Sequence, residues 1–146
     1  MSATQATTGF KAALWIESST TPGTFLKISE IVDLSGPNRG QNFADATHMD
    51  SPNAYEEVLP TFKTAGEVTA TMNFLTTGAA NQSELDASLE AQSIRNYRMV
   101  YPNGIRRCSF AAYVGNLGDT IPHNDVMRRN VTFRISGAPT FEAHTP

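Results

Sequence analysis

Residues 66–74 read GEVTATMNF and alternate between apolar and polar side chains with a period of two. The apolar positions of this stretch are Val68, Ala70, Met72 and Phe74. Such alternation predicts a β-strand with one buried face, because successive side chains of a strand point to opposite faces. The same period recurs where Val131, Phe133 and Ile135 alternate with polar neighbours. The chain is therefore predicted to be rich in β-strand.

The remaining elements follow from similar local signals. Besides 66–74, strands are predicted at 10–17, 25–28, 30–34, 95–101, 105–114 and 126–136. The turn signals are TTPG at 20–23 and PNG at 102–104. One helix is predicted over 82–92, with Leu85 and Leu89 forming a narrow apolar stripe. Either Asn81 or Ser83 is expected to cap its start.

Composition limits the class of protein. The chain has 146 residues, a net charge of −3, a sequence pI near 5.5 and a single cysteine. These values argue against a disulfide scaffold and against a protein held on nucleic acid by phosphate contacts. No apolar run approaches the ~18 residues of a membrane helix, and the first residues lack signal-peptide features. We expect a soluble, single-domain chain made inside the cell.

The surface of the chain is expected to be unusual. Charged residues make up 17% of the sequence, against about 25% in typical soluble domains. Residues 36–65 show weak periodicity, yet they include several apolar residues: Phe43, Met49, Tyr55, Val58, Leu59 and Phe62. Long structureless loops in compact domains are usually functional or disordered, and this apolar content disfavours disorder. The segment is interpreted as docking onto another molecule, with a flap folded onto its own core as the alternative.

Charge is divided unevenly along the chain. Residues 1–94 hold 4 Lys and Arg against 11 Asp and Glu, and residues 95–146 hold 7 Arg against 3 Asp and Glu. The first part therefore has a net charge of −7 and the second a net charge of +4. Acidic and basic parts can pair within one subunit or between subunits, and both readings remain open.

Sequence motifs for catalysis and cofactor binding are not evident. The chain lacks G-x-S-x-G, P-loop, G-x-G-x-x-G, C-x-x-C and H-E-x-x-H patterns. The best metal-ligand candidates are Asp45, His48 and Asp50, followed by His123 and Asp125. Cys108 alternates in register with apolar neighbours and is expected to be a buried structural thiol. We expect no catalytic, cofactor or metal site, and a small metal-dependent hydrolase is the least favoured hypothesis.

Several stretches resemble one protein family over about residues 10–137. They are WIES at 15–18, PGTF at 22–25, LSGP at 34–37, ATHMDSP at 46–52, YEEVLP at 55–60, FKTAGEV at 62–68 and NF at 73–74. Together they resemble the major tail tube proteins of long-tailed phages and gene transfer agents, to which type VI secretion tubes are related. The family has a Pro-Gly-Leu-like turn where this chain has Pro60-Thr61-Phe62.

The resemblance implies a fold and a structural role. The implied fold is mainly β: two packed antiparallel sheets, sandwich- or barrel-like, with one short flanking helix and a long loop. The domain would span 10–137, including the loop at 36–65 and the helix at 82–92, between a flexible N-terminal arm at 1–9 and a C-terminal tail at 138–146. Subunits would form rings, expected to be hexamers, which stack into a tail tube and have no enzymatic activity.

The resemblance also implies partners and a location. The chain would bind itself, the tape measure protein in the lumen, the tail terminator and the distal tail or baseplate proteins. DNA would pass through without specific binding. The subunit would lie in the tail of a virion or phage-like particle, after assembly in the bacterial host cytoplasm.

Residues of the apolar segment and two arginines are the expected contacts between subunits: Phe43, Thr47, His48, Met49, Asp50, Tyr55, Glu56, Val58, Leu59, Phe62, Arg106 and Arg128. Both faces of the predicted strands carry polar groups, so the lumen-lining residues remain open. The alternative function is a monomeric β-sandwich binding or accessory module that uses the segment 36–65 as a ligand arm.

Overall fold

The computed structural model describes residues 3, 8–9, 11–18, 20–28, 30–74, 82–102 and 106–143. The strands within these residues are β1 (Ala13–Glu17), β2 (Phe25–Ile28), β3 (Ile31–Ser35), β4 (Gly40–Asp45), β5 (Val58–Thr64), β6 (Glu67–Asn73), β7 (Arg95–Val100), β8 (Arg106–Thr120), β9 (Arg128–Ile135) and β10 (Thr140–Ala143). Helix α1 spans Ser83–Ala91, and Pro52–Ala54 form a 3₁₀ turn. No helix in these ranges has the length and apolar character needed to cross a membrane.

The strands form two antiparallel sheets. The larger sheet has the order β2-β1-β7-β8-β9-β6-β3, with β10 also paired to β8, and the smaller sheet is the β4–β5 hairpin. The long strand β8 pairs with β7 through residues 107–112 and with β9 through residues 112–120. The predicted class, mainly β with two antiparallel sheets and one short helix, is confirmed.

The core covers one face of the large sheet. Val68, Ala70 and Met72 have no exposed surface, as the alternation in 66–74 predicts. The rings of Tyr97 in β7 and Phe133 in β9 lie 4.4 Å apart, although β8 runs between their strands. This approach fits a sheet that curls around its apolar side chains. Burying each large apolar side chain contributes about 1.5–3 kcal/mol.

Helix α1 covers part of this core. Leu85 is fully buried, and the helix packs against β8. Leu89 is more exposed than the predicted stripe requires. The expectation that Ser83 caps the helix is wrong: Ser83 is the first helical residue, and Gln82 precedes it without a side-chain capping hydrogen bond. The other expected cap, Asn81, lies outside the described residues.

Several element boundaries differ from the sequence prediction. Strand β8 continues six residues past Val114 to Thr120, where pairing with β9 supports the polar sequence. Strand β10 lies within the expected tail and pairs with the start of β8. Phe10 and residues 103–105, which belong to the predicted first strand and hairpin, lie outside the described residues.

The segment 36–65 contains more regular structure than its sequence pattern indicates. It forms the hairpin β4–β5, with a bulge between Gln41 and Phe43. Residues 60–62, where the chain departs from the family's Pro-Gly-Leu-like turn, lie within β5 and form no turn. Proline is tolerated at such a position because a two-stranded sheet consists only of edge strands.

Candidate functional site

The β4–β5 hairpin and the residues that connect its strands, 40–64, form an arm that stands apart from the core. Every residue of both strands is exposed. An isolated two-stranded hairpin is at best marginally stable in water. Within the described residues, the arm is therefore a region that would gain stability from a covering surface.

One face of the arm is mainly apolar, with Asp45 as its charged residue. Phe43 pairs with Pro60 and Asp45 with Val58, so alternation along β5 places Phe62 on this same face. Phe43 is 59% exposed and Phe62 is 80% exposed. Leu59 pairs with Ala44 and belongs to the opposite face. Contiguous exposed apolar surface of this kind marks an interaction site.

The tip of the arm, residues 46–57, is held by its own hydrogen bonds. The Asp45 carboxylate accepts from the Thr47 amide at 2.9 Å, and the Glu57 amide donates to the Thr47 hydroxyl at 2.8 Å. The Ser51 hydroxyl donates to Glu57 Oε2 at 2.7 Å. The hydrogen bonds from Thr47 hold the pKa of Asp45 below its usual value. The tip therefore has a defined shape before any contact forms.

His48 belongs to this hydrogen-bond network. Its Nδ1 accepts from the Asp50 amide at 3.1 Å, and its Nε2 lies 3.4 Å from Glu57 Oε2. In the described part of the chain, no three His, Cys, Asp or Glu side chains converge on a possible metal position. The candidate ligands Asp45 and His48 instead bond to residues of the tip. These bonds give the side chain of His48 a structural place within the tip.

Four side chains of the tip point away from this network. Met49 is fully exposed and Tyr55 is 74% exposed. The carboxylates of Asp50 and Glu56 take part in none of the hydrogen bonds or ion pairs formed among the described residues. The tip thus presents two free carboxylates beside two exposed apolar groups.

Two glycines allow the arm to join the domain closely. Gly36 has φ +104° and Gly66 has φ +74°. A Cβ atom at Gly36 would collide with the Glu67 carbonyl oxygen, and one at Gly66 would collide with the Asn38 carbonyl oxygen. Only glycine fits these positions. The sequence signal for this close packing is the Gly66-Glu67 pair, which opens the strand at 66–74.

An arginine-rich cluster lies at the base of the arm. We call Arg39, Tyr101, Arg106 and Phe141 the base cluster. The Arg39 and Arg106 guanidinium carbons lie 4.4 Å and 4.5 Å from the centroid of the Phe141 ring. Neither arginine forms an ion pair within the described ranges. Sequence reasoning identified Arg106 but missed Arg39, because the fold alone brings Phe141 beside it.

The two arginines expected at the interface lie far apart. Arg106 begins β8 at the base of the arm. Arg128 pairs with Thr120 at the other end of β8, and its exposed side chain has no ion-pair partner among the described residues. The structure therefore groups Arg106 with the base of the arm and leaves Arg128 separate from it.

Other arginines pair with carboxylates of the same chain. Arg95 Nη2 lies 3.2 Å from Glu84 Oε2, and Arg134 Nη1 lies 3.6 Å from Glu67 Oε1. The side chain of Arg129 contacts Asp86 at 3.0 Å. Each of these pairs joins the basic part of the sequence to the acidic part. Much of the uneven charge is thus balanced within one subunit.

Comparison with known proteins places this fold among tail proteins. The model of a family described as "Lambda phage tail tube protein, TTP" matches residues 12–142. No curated protein matches the chain significantly in sequence.

Three solved structures have a similar fold. The tail of an empty gene transfer agent particle, refined with C6 symmetry, has a TM-score of 0.76 at 15% identity, covering 94% of this chain and 100% of that one. The SPP1 tail tube has a TM-score of 0.68 at 10% identity, covering 92% and 78%. The sheath–tube complex of an extracellular contractile injection system, PVC, has a TM-score of 0.71 at 10% identity, covering 95% and 93%. At these identities the likeness shows the fold.

Proposed function

The chain belongs to the lambda phage tail tube protein family, and on this premise we propose that its copies join into hexameric rings that stack into a tube for DNA delivery. The family and the fold are those of structural tail tube proteins, not of enzymes. The observation that carries the proposal is the exposed arm, because its apolar face has no covering surface among the described residues.

A ring is supported by the edges of the large sheet. Strands β2 and β3 stand at the two ends of its strand order, so each has one side without a neighbour among the described strands. Unpaired edges are templates for pairing with another chain, and head-to-tail pairing of two different edges closes a ring when the rotation fits. The gene transfer agent tail with the similar fold has C6 symmetry. Six subunits per ring are therefore proposed here.

Charge supports the role of a conduit. The net charge of −3 gives the polymer an overall negative field. A basic bore would hold phosphates by counterion release, whereas passage of DNA requires weak binding. We infer that DNA passes without specific contacts and that the tape measure protein occupies the lumen before it.

The proposed partners and location follow from the same role. Structures of similar fold come from a contractile injection system's sheath/tube terminator and from a baseplate of the anti-feeding prophage. We propose that this chain contacts a tail terminator at one end of the tube and distal tail or baseplate proteins at the other. It would act in the tail of a virion or gene transfer agent, after assembly in the bacterial cytoplasm.

Electron microscopy of the purified, concentrated chain tests the proposal. We expect rings or tubes, with six-fold symmetry in end-on class averages. A protein that stays monomeric at every concentration would contradict the proposal and favour the alternative, a monomeric binding module that uses the arm for a ligand.

A matched pair of variants tests the role of the arm. Phe62→Ser removes an exposed apolar group from the arm, and Ile121→Ser removes one that is 71% exposed elsewhere. We expect Phe62→Ser to abolish tubes while Ile121→Ser retains them, with both variants melting like the parent chain. Tubes of normal yield from Phe62→Ser would remove the arm from the interface.

A further inference from the structure

We propose that the tip of the arm binds the base cluster of another copy, with Asp50 and Glu56 pairing with Arg39 and Arg106 beside Phe141. This inference rests on the proposed function and names the receptor surface for the arm. It assigns a partner to two groups of charges that the described part of a single subunit leaves unpaired.

The base cluster has the positive charge and the geometry to bind an anion. Its two guanidinium groups approach the same Phe141 ring, and no carboxylate is paired with either of them within the described residues. Bringing like charges together without a counter-ion is unfavourable. Arginine favours planar, bidentate contacts with carboxylates, and stacking on an aromatic ring pre-orients its fork for them.

The tip supplies carboxylates in a prepared form. Asp45 and Glu57 are occupied by hydrogen bonds inside the tip, which leaves Asp50 and Glu56 free to pair outward. Because the internal network already holds the tip, docking costs less conformational entropy than ordering a flexible loop. Met49 and Tyr55 add exposed apolar surface beside the two carboxylates.

The cleft beside the base cluster offers room for those apolar groups. It is lined by the base of the arm and by the chain between β9 and β10, including Pro37, Arg39, Lys63 and Pro139. Lys63 and Arg39 make this side of the cleft basic. A tip with two free carboxylates is therefore complementary to the cleft in charge.

Geometry requires the contact to be between molecules. Arg39 directly precedes β4, whereas the tip follows the six residues of that strand. At about 3.3 Å per residue, the two surfaces lie about 20 Å apart at opposite ends of the arm. A tip therefore reaches the base cluster of another copy. Because the two surfaces differ, the contact is heterologous and repeats from subunit to subunit.

Charge reversal in both surfaces tests the contact. The single variants are Asp50→Arg, Glu56→Arg, Arg39→Glu and Arg106→Glu. Each of the four double variants combines one tip substitution with one base substitution, so that the tip residue is positive and the base residue is negative. We expect each single variant to raise the critical concentration for sedimentable polymer at least tenfold. At least one double variant should return it to within threefold of the parent. Glu90→Arg, a charge reversal at an exposed residue of helix α1, is the control and should polymerise like the parent.

The outcomes separate this inference from the proposed function. If the parent chain polymerises and the single variants polymerise equally well, the contact is overturned while the tube function stands. The same holds if no double variant restores polymer that the single variants lose. If the parent chain never polymerises, both fall. Circular dichroism of each variant checks that the fold is retained.

Discussion

Arg129 Nη1 lies 3.0 Å from Asp86 Oδ2, and this ion pair joins helix α1 to strand β9. The same guanidinium donates from Nε to Asp119 at 2.7 Å and stacks on Phe74 at 4.4 Å. Burial by itself would lower the pKa of Arg129, but the hydrogen bonds that it donates to the carboxylates of Asp119 and Asp86, together with their negative charges, outweigh this effect and hold the pKa above the usual value. Arg129 is therefore a structural charge, fixed by contacts within its own subunit.

Replacing Arg129 with methionine is expected to destabilise the subunit. The expected loss is about 2 kcal/mol, below the ~3–5 kcal/mol for breaking a fully buried pair, because both carboxylates remain partly exposed. The neighbouring exposed Arg128 provides the control, and Arg128→Met should change stability by less than about 0.5 kcal/mol. Urea denaturation of dilute, unpolymerised protein measures both. Equal stability of the two variants would refute the structural role of Arg129.

Deleting residues 41–62 is expected to leave the domain folded. Gly40 pairs with Thr64 and Gln41 with Lys63, so the cut joins positions that already lie close together. No deleted residue belongs to the buried core. We expect the free energy of unfolding to change by less than about 1 kcal/mol, while polymerisation is lost. Thermal melting tests whether the domain stays folded, and sedimentation tests whether polymerisation is lost. Loss of the cooperative melting transition would show that the arm belongs to the core.

Acid is expected to loosen the tip of the arm. The lowered pKa of Asp45 means that its charged form is favoured by the folded turn. The stabilisation is therefore present above the usual value of 3.8 and is lost as the pH falls through the lower folded value. NMR titration of the Thr47 amide should show a midpoint below 3.8, and Asp45→Ala should remove that transition. A midpoint at or above 3.8 would contradict the hydrogen bond.

The thiol of Cys108 is expected to be unreactive in the folded chain. Burial raises its pKa, although the nearby charges of Arg106 and Arg39 oppose the shift. At pH 8 an alkylating reagent should react at least about 100-fold more slowly with Cys108 than with the same chain in denaturant. A cysteine placed at the exposed position 49 by Met49→Cys, in a Cys108→Ala background, should react at the denatured rate. Rapid native labelling of Cys108 would contradict its burial.

Several of the strands that sequence analysis located have one buried face and one exposed face. Strands such as β6 and β9 bury one face and expose the other, so their periodicity is visible in the residue order. The arm has no such signal, because both of its faces are exposed. The second half of β8 contains Gly115, Asn116 and Gly118, and its strand conformation depends on pairing with β9. Local propensity does not contain that information.

The sequence predicts only part of the candidate site. Apolar residues in a weakly periodic segment identified Phe43 and Phe62 as unusual, and the structure places both on one exposed face of the arm. Their role in contacts between subunits stays a prediction. The base cluster could not be predicted from the sequence apart from Arg106, because Arg39 and Phe141 are separated by about a hundred positions and meet only through the fold. Long-range pairs of this kind leave no trace in spacing.

At Gly36 and Gly66 the chain packs closely against main-chain atoms, and this packing sets the angle between the arm and the rest of the domain. Over an arm of about 20 Å, a tilt of about 10° at the base would move the tip by about 3.5 Å, the width of an atomic contact. A methyl group added at either glycine would tilt the arm at its base, and the displacement would be largest at the tip. In the proposed tube, every copy of the subunit would carry the same displacement.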